Sequence, residues 1–389
     1  MQSMKAVSLW RLPAMRQLWT LSLLGFSSFS LTLAALPSYA VSVGVSTATA
    51  GLVTAVMLGT TVLTQAAVPA LTARLGVARV FAVGLLLLGA PAPLYLVSTE
   101  LWWLLLVSAV RGCGFAVLTV LGATMAARLA PAARQGESIG IYGLSVALPG
   151  LLLVPGGVAL TLGGRFGWVA VLAAVPVLAV PMALTLGRAD PADSTTGRGG
   201  GSRAAVRAAL GPSAILVLVT LAGGGVVTFL PIERPEGALA ATALLATGIT
   251  AAASRWAAGV LVDRIGSRVL LPAALLASIG GLLLIALGLT QGTGGGAAVR
   301  IVTGAAIFGV GYGAVQNLTL VLAFARAGPD RTNTASAVWN ASFDIGTAIG
   351  AVAVGAAAAT GLGLPLSYLA CAVAITATVP LALAVTRRR

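Results

Sequence analysis

The chain has 389 residues, 58% of them hydrophobic and 8% charged, and its mean hydropathy is +1.03. A soluble fold of this size would lack the polar residues to cover its surface, so water-soluble enzymes and regulators are excluded and the chain belongs in a bilayer. The net charge of +14 sits in short turns rather than on one face, which argues against nucleic acid as a ligand.

A membrane-crossing helix takes roughly 20 mainly apolar residues. Twelve stretches qualify, in order: Leu18 to Leu36, Ala48 to Pro69, Val80 to Val97, Trp102 to Ala126, Ser138 to Leu162, Phe166 to Leu186, Ala214 to Ile232, Ala238 to Val262, Val269 to Leu289, Ala298 to Ala323, Ala335 to Ala359 and Leu364 to Val385. The fifth contains Pro149, Gly150, Pro155, Gly156 and Gly157, where a missing backbone donor and small residues allow a helix to bend. Between the sixth and seventh lies the one long polar stretch, 188–212, read as a flexible linker between a bundle at 1–187 and a second at 213–389. Within it, Arg203 to Leu210 reads either as a short basic amphipathic helix on the membrane surface or as a solvated charge run.

With the N-terminus in the cytoplasm, Arg74, Arg79, Arg128, Arg134, Arg264, Arg268, Arg326 and Arg331 all fall in cytoplasmic turns, and only Arg165, Arg234 and Arg300 fall outside. That bias supports twelve spans with both termini cytoplasmic. A single lysine with heavy alanine and glycine use points to a GC-rich bacterial genome and so to a bacterial inner membrane. Cys113 and Cys371 lie within apolar stretches without paired spacing, and read as small core residues rather than as a disulfide or metal site.

The turn after the eighth stretch reads Gly259-Val-Leu261-Val-Asp263-Arg264-Ile-Gly266-Ser-Arg268, and a partial copy after the second reads Pro69-Ala-Leu71-Thr-Ala73-Arg74-Leu-Gly76-Val-Ala-Arg79. Ala73 stands 190 positions before Asp263, close to half the chain, so an internal duplication is the simplest account. The pattern G-x-L-x-D-R-x-G-x-R resembles the signature of the major facilitator superfamily, and the chain resembles its twelve-helix bacterial drug:proton antiporters. The resemblance implies an all-α membrane protein in the major facilitator fold, twelve transmembrane helices in two six-helix bundles related by pseudo-two-fold symmetry. It further implies a conformational latch at Gly259, Asp263, Arg264, Gly266 and Arg268, mirrored at Arg74, Gly76 and Arg79. Asp263 is expected to cap the positive end of the fifth helix when the cytoplasmic side closes; the mirror lacks its acid, so one latch is expected rather than two.

Among the nine acidic residues only Asp344 lies deep in a span, about 18 Å along its helix at 1.5 Å per residue. A charge there costs at least roughly 2.5 kcal/mol. It reads as part of a structural hydrogen-bond network between helices or, the expectation taken forward, as a proton carrier. Trp339, Asn340 and Phe343 accompany it, and Asn340, Phe343 and Asp344 share a helix face with Thr347.

Arg111, in Ala109-Val-Arg111-Gly-Cys-Gly114, resembles the fourth-helix arginine that faces the cavity in the antiporters, with Cys113 in the place of the family glutamine. It is the second candidate for proton coupling. Arg255 is expected to brace the turn that holds Asp263. The family's cavity would be lined by the first, fourth, seventh and tenth helices, which here contribute Ser27, Ser28, Arg111, Thr228, Phe229, Tyr312, Gln316 and Asn317. Ser28 occupies the place of an aspartate common in drug exporters. The expected function is a secondary active exporter of drug-like molecules or secondary metabolites driven by proton antiport; the alternative is a facilitator or proton symporter importing a small organic acid or nutrient. No cofactor or metal is called for, an enzyme is not expected, and the expected partners of a monomeric carrier are membrane lipid, a small-molecule substrate and protons.

Overall fold

The computed structural model describes residues 9–129, 135–186, 203–235, 237–292, 294–328 and 332–386. Its regular structure among those residues is entirely helical. Twelve helical spans are long and apolar enough to cross a membrane: span 1 Pro13–Ser42, span 2 Thr47–Gln65, span 3 Val77–Leu96, span 4 Leu101–Ala126, span 5 Ile141–Leu162, span 6 Phe166–Leu186, span 7 Val206–Glu233, span 8 Ala238–Val262, span 9 Ser267–Thr290, span 10 Gly295–Ala327, span 11 Thr334–Ala358 and span 12 Gly363–Val385. An even number puts both ends of the chain at one face, called here the terminal face; the other is the far face.

In lipid every backbone polar group needs an internal partner, which is why the chain is helix nearly throughout. Two large apolar clusters lie within the first half, around Leu85 with Leu118 and around Tyr95 with Phe166, and one spans the second half from Ile215 to Val385. Helix contacts within the halves run through small residues: a Cβ on Gly309 or Gly313 of span 10 would strike Thr247 or Ala251 of span 8.

The duplication is visible in the backbone. Gly76 and Gly266 have φ/ψ of 81°/152° and 86°/150°, so the two turns share one conformation that side chains other than glycine rarely adopt.

One local expectation is revised. The helix of span 7 starts at Arg203 and runs unbroken to Glu233, so Arg203 to Leu210 is not a separate surface helix but the first turns of that helix, with Arg203 and Arg207 exposed. Alanine-rich sequence extends the helix outward, and Pro212 does not interrupt it. The rest of the expected linker, 188–202, lies outside the described residues. Span 5 likewise stays helical from Gln135 to Leu162 through Pro149 and Pro155; Gly150 and Gly156 face open space, whereas Gly157 lets the helix pack directly on the Leu31 carbonyl of span 1.

The two halves meet near the far face. Leu33, Ala34, Val154, Val158 and Leu162 of the first half form one apolar cluster with Val227, Ala240 and Leu244 of the second. Gly51 of span 2 lies against the Ala351 carbonyl of span 11, with the Phe229 ring beside it, and Leu151 of span 5 packs on Gly248 of span 8. Apolar clusters at the terminal face each stay within one half: Leu9, Met15 and Ile141 in the first, Ala209, Ala323, Ala327 and Ala335 in the second. Among the described residues the bundles are therefore sealed at the far face and part toward the terminal face.

Candidate functional site

Below that seal, the polar side chains of the interface gather at mid-depth. Ala351 and Asp344 lie two turns apart on one stripe of span 11, and Gly51 and Gln65 lie four turns apart on one stripe of span 2. Having met at Gly51 and Ala351, the two helices meet again where Gln65 Nε2 donates to Asp344 Oδ2 at 3.3 Å. The same amide donates to Thr119 Oγ1 of span 4 at 3.3 Å. Asp344 thus sits where the two bundles touch, half-buried, with a hydrogen bond that crosses from one to the other.

A bond between helices in a membrane contributes about 0.6 to 2 kcal/mol. A carboxylate at this depth costs roughly 2.5 kcal/mol or more. The Gln65 amide alone does not offset the charge, so water in the gap between the bundles below the seal (the recess), a ligand or a proton has to complete the balance.

Across the recess stands Arg255 on span 8. Gly248 and Arg255 are two turns apart on one helix stripe, and Gly248 already faces Leu151 of the other bundle, so Arg255 faces the gap between bundles just below the seal. Its side chain is exposed and bonds through Nη1 to Gln316 Oε1 of span 10 at 3.2 Å. Tyr312 lies one turn along span 10 from Gln316, the hydrogen-bond partner of Arg255. An aromatic shelf continues from it: Tyr312 to Phe343 at 6.4 Å between ring centres, Phe343 to Trp339 at 6.0 Å, and Phe308 behind Tyr312 at 5.6 Å. Trp339 is fixed by a bond from Nε1 to Thr319 Oγ1 at 3.0 Å.

Arg111 has a different place from the one expected. It is fully buried inside the first bundle, and all five of its N–H donors are used. Nε bonds Leu88 O at 3.0 Å, Nη1 bonds Thr32 Oγ1 at 3.1 Å and Tyr95 Oη at 3.3 Å, and Nη2 bonds Ser28 O at 3.2 Å and Ser28 Oγ at 2.9 Å. The Tyr95 ring lies 5.4 Å from the guanidinium carbon. With neutral acceptors taking every donor, Arg111 braces spans 1, 3 and 4 and has no donor left for a ligand. Ser28 belongs to that brace, donating to Ala173 O of span 6 at 2.5 Å.

The other cavity candidates divide similarly. Thr228 and Phe229 are buried, Phe229 within the far-face seal rather than in the recess. Ser27 is half-buried, its hydroxyl spent on Leu23 O of its own helix at 2.7 Å, and Asn340 is exposed with its amide on Ser336 O at 2.9 Å. Asn317 is half-buried against Gly259, where a Cβ would meet its amide at 3.2 Å, and its Oδ1 is buried without a protein partner. The polar and aromatic side chains gathered around Asp344 and Arg255 therefore come from spans 2, 8, 10 and 11, with Thr119 of span 4 behind Gln65, and not from spans 1 and 7. The backbone of the Gly259 to Arg268 turn is described, with Arg264 and Arg268 exposed, but the side chain of Asp263 lies outside the described residues, as does that of Glu137.

Gln65 and Arg255 are the site residues that sequence reasoning missed. The repeat held one signal: Arg255 and Gln65 are exactly offset by 190 positions, so the duplicated helices carry a polar residue at matching places. Among the described residues no group of histidine, cysteine and acidic side chains could hold a metal ion.

Twelve helical spans in two packed halves, sealed on one face and parted on the other around a polar recess, define a membrane carrier. The sequence matches the Major Facilitator Superfamily over residues 18–351, and the chain belongs to that family. No curated protein sequence matches the chain. Similar solved structures include a bacterial homolog of the human lysosomal transporter Spinster in an inward-facing, unoccupied conformation, 17% identical, covering 96% of each chain with a TM-score of 0.74. The nucleoside transporter NupG is 16% identical over 96% of this chain and 98% of its own, with a TM-score of 0.74. A POT family transporter in complex with 5-aminolevulinic acid is 14% identical over 96% of both chains, also with a TM-score of 0.74. These likenesses show the major facilitator fold, and the chain is a membrane transporter rather than an enzyme.

Proposed function

We propose that the chain is a secondary active transporter that exports amphiphilic small molecules by proton antiport, with Asp344 as the coupling carboxyl. The observation that carries this reading is the position of Asp344. It is an acid at mid-depth, open to the recess, and joined to the opposite bundle through Gln65. Protonation there changes both the charge a ligand meets and the bond between bundles, so one event reaches binding and packing together.

Export follows from the sequence resemblance to drug:proton antiporters, and from an aromatic recess with few charges, which suits drug-like compounds. With the terminal face placed in the cytoplasm, as the arginine distribution favours, the conformation described is the one that receives substrate from inside. Asp263 is assigned to hold the opposite state by capping span 5 once the terminal face has closed. The protein is taken to work as a monomer in a bacterial inner membrane.

A growth-inhibition panel in an efflux-deficient host, followed by proton-gradient measurements in everted vesicles, tests the reading. The expected result is that the wild type protects against some compounds, that those compounds dissipate a preformed proton gradient, and that Asp344→Asn does neither. Equal protection by wild type and Asp344→Asn would remove Asp344 as the coupling residue. Uptake that runs with the proton gradient would replace export by symport.

A further inference from the structure

Two charged side chains flank one aromatic shelf: Arg255 is bonded to Gln316, one turn along span 10 from Tyr312, and Asp344 follows Phe343 on span 11. Arg255 is exposed, and four of its five N–H donors have no described partner, in contrast to Arg111 with none to spare. Asp344 has a single amide donor on one oxygen, leaving acceptor sites open. The Tyr312 ring leads onto Phe343, half-buried at the recess wall and backed by Trp339. A cation with free donors inside a membrane span is expensive and calls for an anionic partner; none is supplied by the described neighbours of Arg255, whose hydrogen-bond partner is the neutral Gln316.

The geometry points to an aromatic zwitterion as the substrate class, its carboxylate on Arg255, its ammonium on Asp344 and its ring on the Tyr312 and Phe343 shelf. This rests on the transport reading only in taking the recess as the substrate site. The guanidinium fork matches a carboxylate in two-point contact, which a lysine would not reproduce. The ammonium takes the place that a proton occupies on Asp344, so an amine-bearing ligand and a proton exclude one another there. A molecule with either charge alone satisfies one wall and leaves the other unpaired.

Binding to the purified full-length protein in detergent, by titration calorimetry, tests the assignment with three matched probes: 6-(aminomethyl)-2-naphthoic acid, 6-methyl-2-naphthoic acid and 2-naphthylmethylamine. The zwitterion is expected to bind roughly tenfold or more tightly than either singly charged probe, the scale of one charge-assisted contact. In Arg255→Gln the zwitterion should fall to the affinity of the amine, with the amine itself unchanged. In Asp344→Asn it should fall to that of the acid. Arg255→Lys should restore part of the carboxylate preference. The assignment is overturned if the wild type binds the three probes alike, if none binds saturably, or if Arg255→Gln keeps the preference for the zwitterion. Should Arg255→Gln fail to fold, the wild-type ranking and the Lys variant still decide. Charge preference that follows Arg255 without any proton movement in vesicles would leave this assignment standing and remove antiport; proton coupling with no charge preference would do the reverse.

Discussion

Replacing Arg111 by methionine separates a brace from a coupling residue. Five hydrogen bonds hold the guanidinium, carried by span 4, to spans 1 and 3. At about 0.6 kcal/mol for a typical bond between membrane helices, their loss amounts to roughly 3 kcal/mol. Methionine fills much of the volume and carries no charge, so the relief of burying a cation returns part of that. Thr32 keeps bonds to Ser28 O and Phe29 O in its own helix, and Ser28 keeps Ala173 O, so those hydroxyls do not become orphans. The freed Leu88 carbonyl and Tyr95 hydroxyl lose their bonds to Arg111, although Tyr95 retains Ser108 at 2.9 Å. A net loss on the order of 2 kcal/mol should lower the melting temperature by several degrees. Thermal unfolding followed by size-exclusion chromatography measures it, while transport per folded molecule keeps its pH dependence. An unchanged melting temperature together with lost proton coupling would refute the brace and return Arg111 to the mechanism.

Gln65→Leu removes the bond between bundles at Asp344; at about 1 kcal/mol it should shift the conformational populations about fivefold toward the far-open state, read as a spin-label distance distribution across the far face. Gly51→Val places a branched side chain against the Ala351 carbonyl and Phe229, so the far face should fail to close, and the same distance pair should report only the open form. Asp263→Asn should shift the population toward the form open at the terminal face, by about fivefold for a helix-capping charge of roughly 1 kcal/mol; a label pair across that face that does not respond would count against the latch.

How far the sequence reached can be argued from the two arginines. Hydropathy fixes depth, because apolar residues are counted along a helix axis, and both Arg111 and Arg255 were correctly placed within spans. Direction around the axis depends on which helix lies opposite, and nothing in a stretch of alanine, leucine and glycine on every side of span 8 reveals that. So Arg111 read as a cavity residue and is a brace, while Arg255 read as a brace and faces the recess. Asp344 was legible because an acid in a span stands out against its surroundings, and the Gly76 and Gly266 turns because a tight turn demands glycine at a fixed place. Gln65 was not, since a neutral amide near the end of a span costs too little to draw attention; its partner became visible only when span 2 met span 11. The span 7 helix was shortened in the reading because arginines and Pro212 look like loop, although a first turn outside the bilayer accommodates charge freely.

The most direct test of the account is proton exchange at Asp344. Reconstituted protein, loaded with a compound that the growth panel identifies, is measured for uphill movement driven by an imposed pH difference and for downhill exchange without one. Wild type should perform both, and Asp344→Asn should retain exchange while losing the uphill component. Uphill movement of undiminished rate and pH dependence in Asp344→Asn would contradict the claim that this carboxyl carries the coupled proton.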